Sequence, residues 1–105
     1  MIKVTVWNNG AHHADGNGYG VKVKEADRQK YFNDNWTEVN LILMGGKAPV
    51  VCRTDKTSFS NRSCGELIDK EIGKWLLARR LAPWSSGHPP ILFLIPLFNN
   101  WFLLV

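Results

Sequence analysis

"PPILFLIPLFNNWFLLV", residues 89–105, decides how this chain must fold. From Ile91 to Val105 only Pro96, Asn99 and Asn100 are not apolar. A membrane-spanning helix needs roughly 20 apolar residues in succession. This run is shorter, and it carries a proline that a helix interior does not accept. Asn99-Asn100 instead suits a two-residue hairpin turn, because asparagine tolerates positive φ. The stretch therefore reads as a buried hairpin in preference to a membrane anchor, and no membrane span is expected.

Working outward, the earlier strands show their period of two. Ile2, Val4 and Val6 alternate with Lys3 and Thr5, and Tyr19, Val21 and Val23 with Gly20, Lys22 and Lys24. Residues 25–33, "EADRQKYFN", hold good helix formers and set Ala26 near Tyr31 and Phe32, which predicts one short helix. Val39, Leu41 and Leu43 predict a third strand, ended by Gly45-Gly46. "PVVCRT" (49–54) predicts a fourth, with Pro49 at its start, where a missing N–H does least harm. Ser63-Cys64-Gly65-Glu66 matches the S-x-x-E capping box and predicts the start of a long helix. Leu67, Ile68, Ile72, Trp75 and Leu76 then fall on one face, with Asp69, Lys70, Gly73 and Lys74 on the other. Glu66 and Lys70 are spaced as a favourable i,i+4 pair. Arg79 and Arg80 suit the negative end of the helix dipole, and Pro83 stops it. "WSSGHPP" (84–90) is a stiff loop before the hairpin.

The order β–loop–β–α–β–β–α–β–β predicts an α+β fold. It has a small mixed or antiparallel sheet, or a partly open barrel, with one short and one long helix. The length of 105 residues suits a single domain over 1–105. With 45% apolar residues and five tryptophans the chain can build a core. Cys52 and Cys64 stand at no metal-like spacing and read as buried free thiols of a cytosolic protein. The start "MIKVTVW" lacks the pattern of a secretory signal, so a cytoplasmic location is expected. The formal charge of +4 permits a nucleic-acid partner and speaks against an acidic mimic.

No catalytic motif stands out. "WNNGAHHADGNGYG" (7–20) gathers His12, His13 and Asp15, all legitimate zinc ligands. Adjacent histidines in an extended segment point to opposite sides, and His88 would have to complete the set from a distant loop. No metal is expected, and the stretch reads as a long exposed connection. "GNGYG" leads into a strand, so the helix N-terminus of a phosphate-binding loop is missing. Cys64 falls among apolar residues and reads as a small hydrophobe, not a nucleophile. Ser58, Ser60 and Ser63 read as a loop leading to a helix cap. Catalytic residues and cofactors are therefore expected to be none.

The basic residues carry the functional reading. Lys22, Lys24, Arg28 and Lys30 cluster on the second strand and short helix, and Arg53, Lys56 and Arg62 before the long helix. Asn33, Asn35, Asn61 and Ser58 supply neutral donors and acceptors nearby. Such a set can meet phosphates with its lysines and base edges with Arg or Asn, although lysines on a polar face are also ordinary solvated residues.

Two resemblances rest on quoted segments. "VTVWNNG", "GYGVKV", "DRQKYF", "SCGELIDKEIGKWL" and "LAPW" followed by Gly and "PP" resemble a group of small bacterial proteins, without an assigned activity, encoded in mobile gene cassettes such as integrons. That likeness spans almost the whole chain and implies a compact accessory protein. "GYGVKV", "DRQKYF" and "EVNLIL", with the later helix and closing strands, are similar in order to the DNA-binding pseudobarrels of plant transcription factors and some restriction enzymes. That likeness implies basic loops gripping a DNA groove. The last two strands depart from it, since they lack the alternation of a sheet with one wet face. Either a second subunit covers them or the tail is altered. The expectation is a non-enzymatic accessory domain that binds nucleic acid, DNA foremost, through the seven basic residues. The alternative is a protein-interaction module or homodimer using Ile91, Phe93, Phe98, Trp101 and Phe102.

Overall fold

The computed structural model describes residues 1–60 and 64–105, without the side chains of Ser58, Ser60 and Cys64. Arg62 and Ser63 therefore lie outside the described residues. Seven strands form one mixed sheet curled into a nearly closed barrel. In chain order they are β1 (Ile2–Asn8), β2 (Tyr19–Lys24), β3 (Glu38–Leu43), β4 (Val50–Arg53), β5 (Cys64–Ile68), β6 (Ile91–Phe98) and β7 (Trp101–Leu104). Helices α1 (Glu25–Tyr31), α2 (Thr57–Ser60) and α3 (Lys70–Ala78) lie between them. The spatial order is β4-β3-β7-β6-β1-β2-β5, and among the described strands only β3 with β7 pairs parallel. This is the α+β fold expected from the sequence.

Alternation fills the barrel. Val4 faces Val23, Val6 faces Val21, Val21 faces Leu67, and Leu41 lies between Val50 and Phe102. All of these side chains are buried. The final hairpin turns at Asn99-Asn100, with Asn99 at φ 47°, and Pro96 sits at an irregularity of the β6–β7 ladder, where a proline is tolerated.

The long helix expected from Ser63 is corrected in two respects. Residues 64–68 form β5, antiparallel to β2, and α3 begins only at Lys70. Its cap is Asp69, whose carboxylate accepts from the Glu71 N–H at 2.8 Å. The misleading signal is physical: Leu67 enters the core from a strand and Ile72, Trp75 and Leu76 from a helix, so one apolar spacing spans two elements. Glu66 is therefore not one helical turn from Lys70, which approaches Asp15 instead, at 3.9 Å. Gly73 is not on a solvent face either: it is buried against Gly16 of the β1–β2 connection.

The two ends of the barrel differ. At the far end of β3, the Trp75 indole N–H donates to the Met44 carbonyl at 2.9 Å, tying α3 to the sheet. At the other end, α1 follows β2, α2 follows β4, and Phe32, Trp36 and Phe59 close the core.

Candidate functional site

The α1–α2 end gathers five of the seven basic residues singled out in the sequence. Lys24 ends β2, and its extended backbone (φ −63°, ψ 150°) lets the chain turn directly into α1. Glu25 and Asp27 occupy the first turn of α1 and Arg28 and Lys30 the last, in the sense that the helix dipole favours. Antiparallel pairing of β3 and β4 brings Arg53 opposite Glu38, so the chain after β4 passes beside the chain before β3. Two bonds fix that approach: the Thr54 N–H donates to the Thr37 carbonyl at 3.0 Å, and the Thr54 hydroxyl to the Trp36 carbonyl at 3.1 Å.

A cavity of about 360 Å³ opens here, lined by Arg28, Gln29, Phe32, Asn33, Asp34, Trp36, Thr54 and Phe59. Its walls are aromatic. Phe32 and Phe59 have ring centroids 5.3 Å apart, and Trp36 meets Phe32 edge-on at 6.1 Å. Phe32 in turn stacks on Phe102 at 4.8 Å, which anchors the wall in the core. Gln29, Asn33 and Asp34 are exposed, and they bring amide donors and acceptors and one carboxylate to this hydrophobic wall. Arg28 is half-buried. Its Nη1 donates to the Phe59 carbonyl at 2.6 Å, and its guanidinium stands 5.9 Å from the Phe59 ring centroid. It is thus both a brace between α1 and α2 and a charge on the cavity lining.

Lys24 and Lys30 are exposed, with the Lys30 ammonium 5.2 Å from the Tyr31 ring, and Lys56 is half-buried at the start of α2. Lys22 lies further along β2, over the Trp7 ring at 5.9 Å. Arg53 is already engaged: its guanidinium grips the Asp55 carboxylate through Nε at 3.0 Å and Nη2 at 2.7 Å. That bond holds the Asp55 carboxyl below its ordinary pKa and raises that of Arg53. Of the seven basic residues singled out in the sequence, the fold thus brings Lys24, Arg28, Lys30, Arg53 and Lys56 to one end. Lys22 stands beside that end, and Arg62 falls outside the described residues.

The cavity lining was only partly visible in the sequence. Trp36, Thr54 and Phe59 come from both sides of β3 and β4, and no spacing rule joins residues 28–36 to 54–59. Strand pairing alone brings them together.

Of the five hairpin residues, Phe102 is corrected: it is 1% exposed and belongs to the core. Ile91 and Phe98 are exposed, Phe93 and Trp101 half-buried, and Phe98 stacks on Trp101 at 5.9 Å. The 7–20 connection is exposed over residues 9–15. His12 Nδ1 lies 2.8 Å from the buried Tyr19 hydroxyl, and its ring meets Trp84 edge-on at 4.9 Å. Asp15 accepts from the backbone N–H and the side-chain amide of Asn17, chiefly the former holding its carboxyl below the ordinary pKa. Among the described residues, no three His, Cys, Asp or Glu side chains are gathered for a metal. Cys52 is a buried free thiol, and no helix among the described residues is long and apolar enough to cross a membrane.

The chain matches no protein-family model, no curated protein and no solved structure.

Proposed function

We propose that this domain binds nucleic acid, DNA foremost, through the α1–α2 end of the barrel. The observation that carries the reading is a cavity with aromatic walls and amide side chains that has Arg28 on its lining, at the end of the barrel where Lys24 ends β2, Lys30 stands in the last turn of α1 and Lys56 precedes α2. Cations of this kind meet phosphates, while aromatic and amide groups meet bases. Nothing in the reading calls for catalysis, a cofactor or a metal.

Binding to mixed-sequence DNA, double- and single-stranded, at two salt concentrations tests it. On duplex DNA the logarithm of affinity should fall with the logarithm of salt, with a slope of about −0.9 per neutralised phosphate. Lys24→Ala/Lys30→Ala should weaken binding and flatten that slope by about 2. Lys47→Ala/Lys74→Ala, at the α3 end, should leave both unchanged. Affinity indifferent to salt, or loss only in the α3-end variant, defeats the reading.

A second reading is a homodimer through the outer face of β6 and β7. Ile91, Leu97 and Phe98 are 50%, 44% and 62% exposed, beside half-buried Phe93, Ile95, Trp101 and Leu103. A continuous apolar face of this kind marks an interaction surface more often than a solvated one. Sedimentation equilibrium decides it: a monomer at high concentration removes the need for the interface.

A further inference from the structure

We infer that the cavity between α1 and the β4–α2 segment receives a single unstacked nucleobase that bears an exocyclic amino group. The inference rests on the nucleic-acid reading and goes beyond it by naming what enters the site and how the site chooses. Three observations carry it.

The first is the pairing of surfaces. Phe32, Trp36 and Phe59 give the cavity aromatic walls, and Phe32 is itself fixed by stacking on Phe102. A base has an apolar, polarisable face that such walls accept whatever its sequence. The second is the polar edge. Asn33 Oδ1 already accepts from the Asn35 N–H at 2.8 Å, so its amide group is oriented with N–H donors remaining. Gln29 donates to the Glu25 carboxylate over a long 3.3 Å, a bond that exchanges readily for a ligand. Asp34 is exposed on the lining and, when ionised, only accepts. A lone acceptor of charge −1 is a poor neighbour for phosphate and a good one for an amino group of adenine, cytosine or guanine. Thymine offers no amino group, and its one donor on that edge, N3–H, is flanked by two carbonyl oxygens that repel a carboxylate. The third is position. The cavity is set into the end of the barrel, and a base held in a duplex stack cannot enter it. Lys24 and Lys30 are not on its lining but are exposed at the two ends of α1, the helix that supplies Arg28 and Gln29 to it, and in this reading they meet the phosphates flanking an extruded base.

The test is fluorescence anisotropy with labelled hexanucleotides of dC, dA and dT at low salt, using the parent protein and Asp34→Asn, Asn33→Ala and Trp36→Phe. Asp34 and Asn33 are exposed, so those two variants should fold as the parent does. The expected result is that dC and dA bind about tenfold more tightly than dT. Asp34→Asn should reduce that preference, although it removes a negative charge, and Trp36→Phe should weaken all three. If dT binds as well as dC, or if Asp34→Asn strengthens every oligonucleotide alike, the base pocket is overturned. The nucleic-acid reading then still stands on its salt dependence. If no oligonucleotide or duplex binds, both fall together.

Discussion

Gly73 of α3 lies directly against Gly16 of the β1–β2 connection, with no space for a side chain between them. A Cβ on Gly73 would overlap the Gly16 carbonyl, and one on Gly16 would stand 2.7 Å from the Lys74 nitrogen. Gly16 is also at φ +93°, a conformation L side chains rarely adopt. This contact seats the connection on α3.

In an exposed helix, Gly→Ala gains close to 1 kcal/mol. Here the sign should reverse. Gly73→Ala forces the connection off the helix, and overpacking of this kind costs about 1–3 kcal/mol. Thermal unfolding followed by circular dichroism should show a midpoint lower by several degrees. A midpoint equal to or above that of the parent would show that the connection yields freely.

Phe102 and Phe98 flank the same turn and should behave oppositely. Phe102, 1% exposed and stacked on Phe32, should cost about 3–5 kcal/mol as alanine. Phe98, 62% exposed, should change monomer stability by less than about 0.5 kcal/mol. In the homodimer reading, Phe98→Ala should also abolish any concentration dependence of the unfolding midpoint, which chemical denaturation at two protein concentrations would reveal.

Asp69→Ala removes the only side-chain cap bond found at α3 among the described residues, and should cost about 1 kcal/mol by urea denaturation. An unchanged urea midpoint would mean that packing of Ile72, Trp75 and Leu76 holds the first turn unaided.

That cap marks where the sequence was legible and where it was not. Strands β1, β2, β3 and β4 announced themselves because each sends one face to the core and one to water, and alternation survives in the residue order. The closing hairpin was legible from Asn99-Asn100 alone. Residues 64–68 misled because β5 is covered on both sides of its path: Gly65, Glu66 and Leu67 are all buried, so no period of two appears. Ser63 to Glu66 then offered a helix cap in the wrong place. The basic residues could be picked out, but the walls of the cavity could not. Trp36 and Phe59 come to line one cavity through the β3–β4 pairing, and in sequence they are an isolated aromatic and part of a serine-rich loop.

Alkaline pH should weaken the fold through Cys52. Burial, reinforced by the Asp69 carboxylate, pushes this thiol from an ordinary pKa of 9.0 up to about 12. The unfolded chain releases the proton near the ordinary value while the folded chain keeps it. The contribution is therefore whole below pH 9 and is lost as pH rises toward 12. Burial raises the Tyr19 hydroxyl in the same sense. Urea titrations between pH 8 and pH 11 should show stability falling in the parent and falling less steeply in Cys52→Ala. Identical slopes would show that the thiol does not govern the decline.

The parallel pairing of β3 with β7 sets a timetable for assembly. Among the described strands, β7 is the bridge by which the β3–β4 ribbon joins the rest of the sheet. The Asn100 amide that bonds to the Glu38 carbonyl comes 62 positions later in the chain. At a synthesis rate of roughly 5–20 residues per second, the ribbon waits several seconds with one edge bare. A nascent chain halted before Trp101 would hold two separate sheets, each with an unpaired border open to any extended strand nearby. Barrel closure is thus one late event, and the interval before it is when this protein most needs to be kept from other chains.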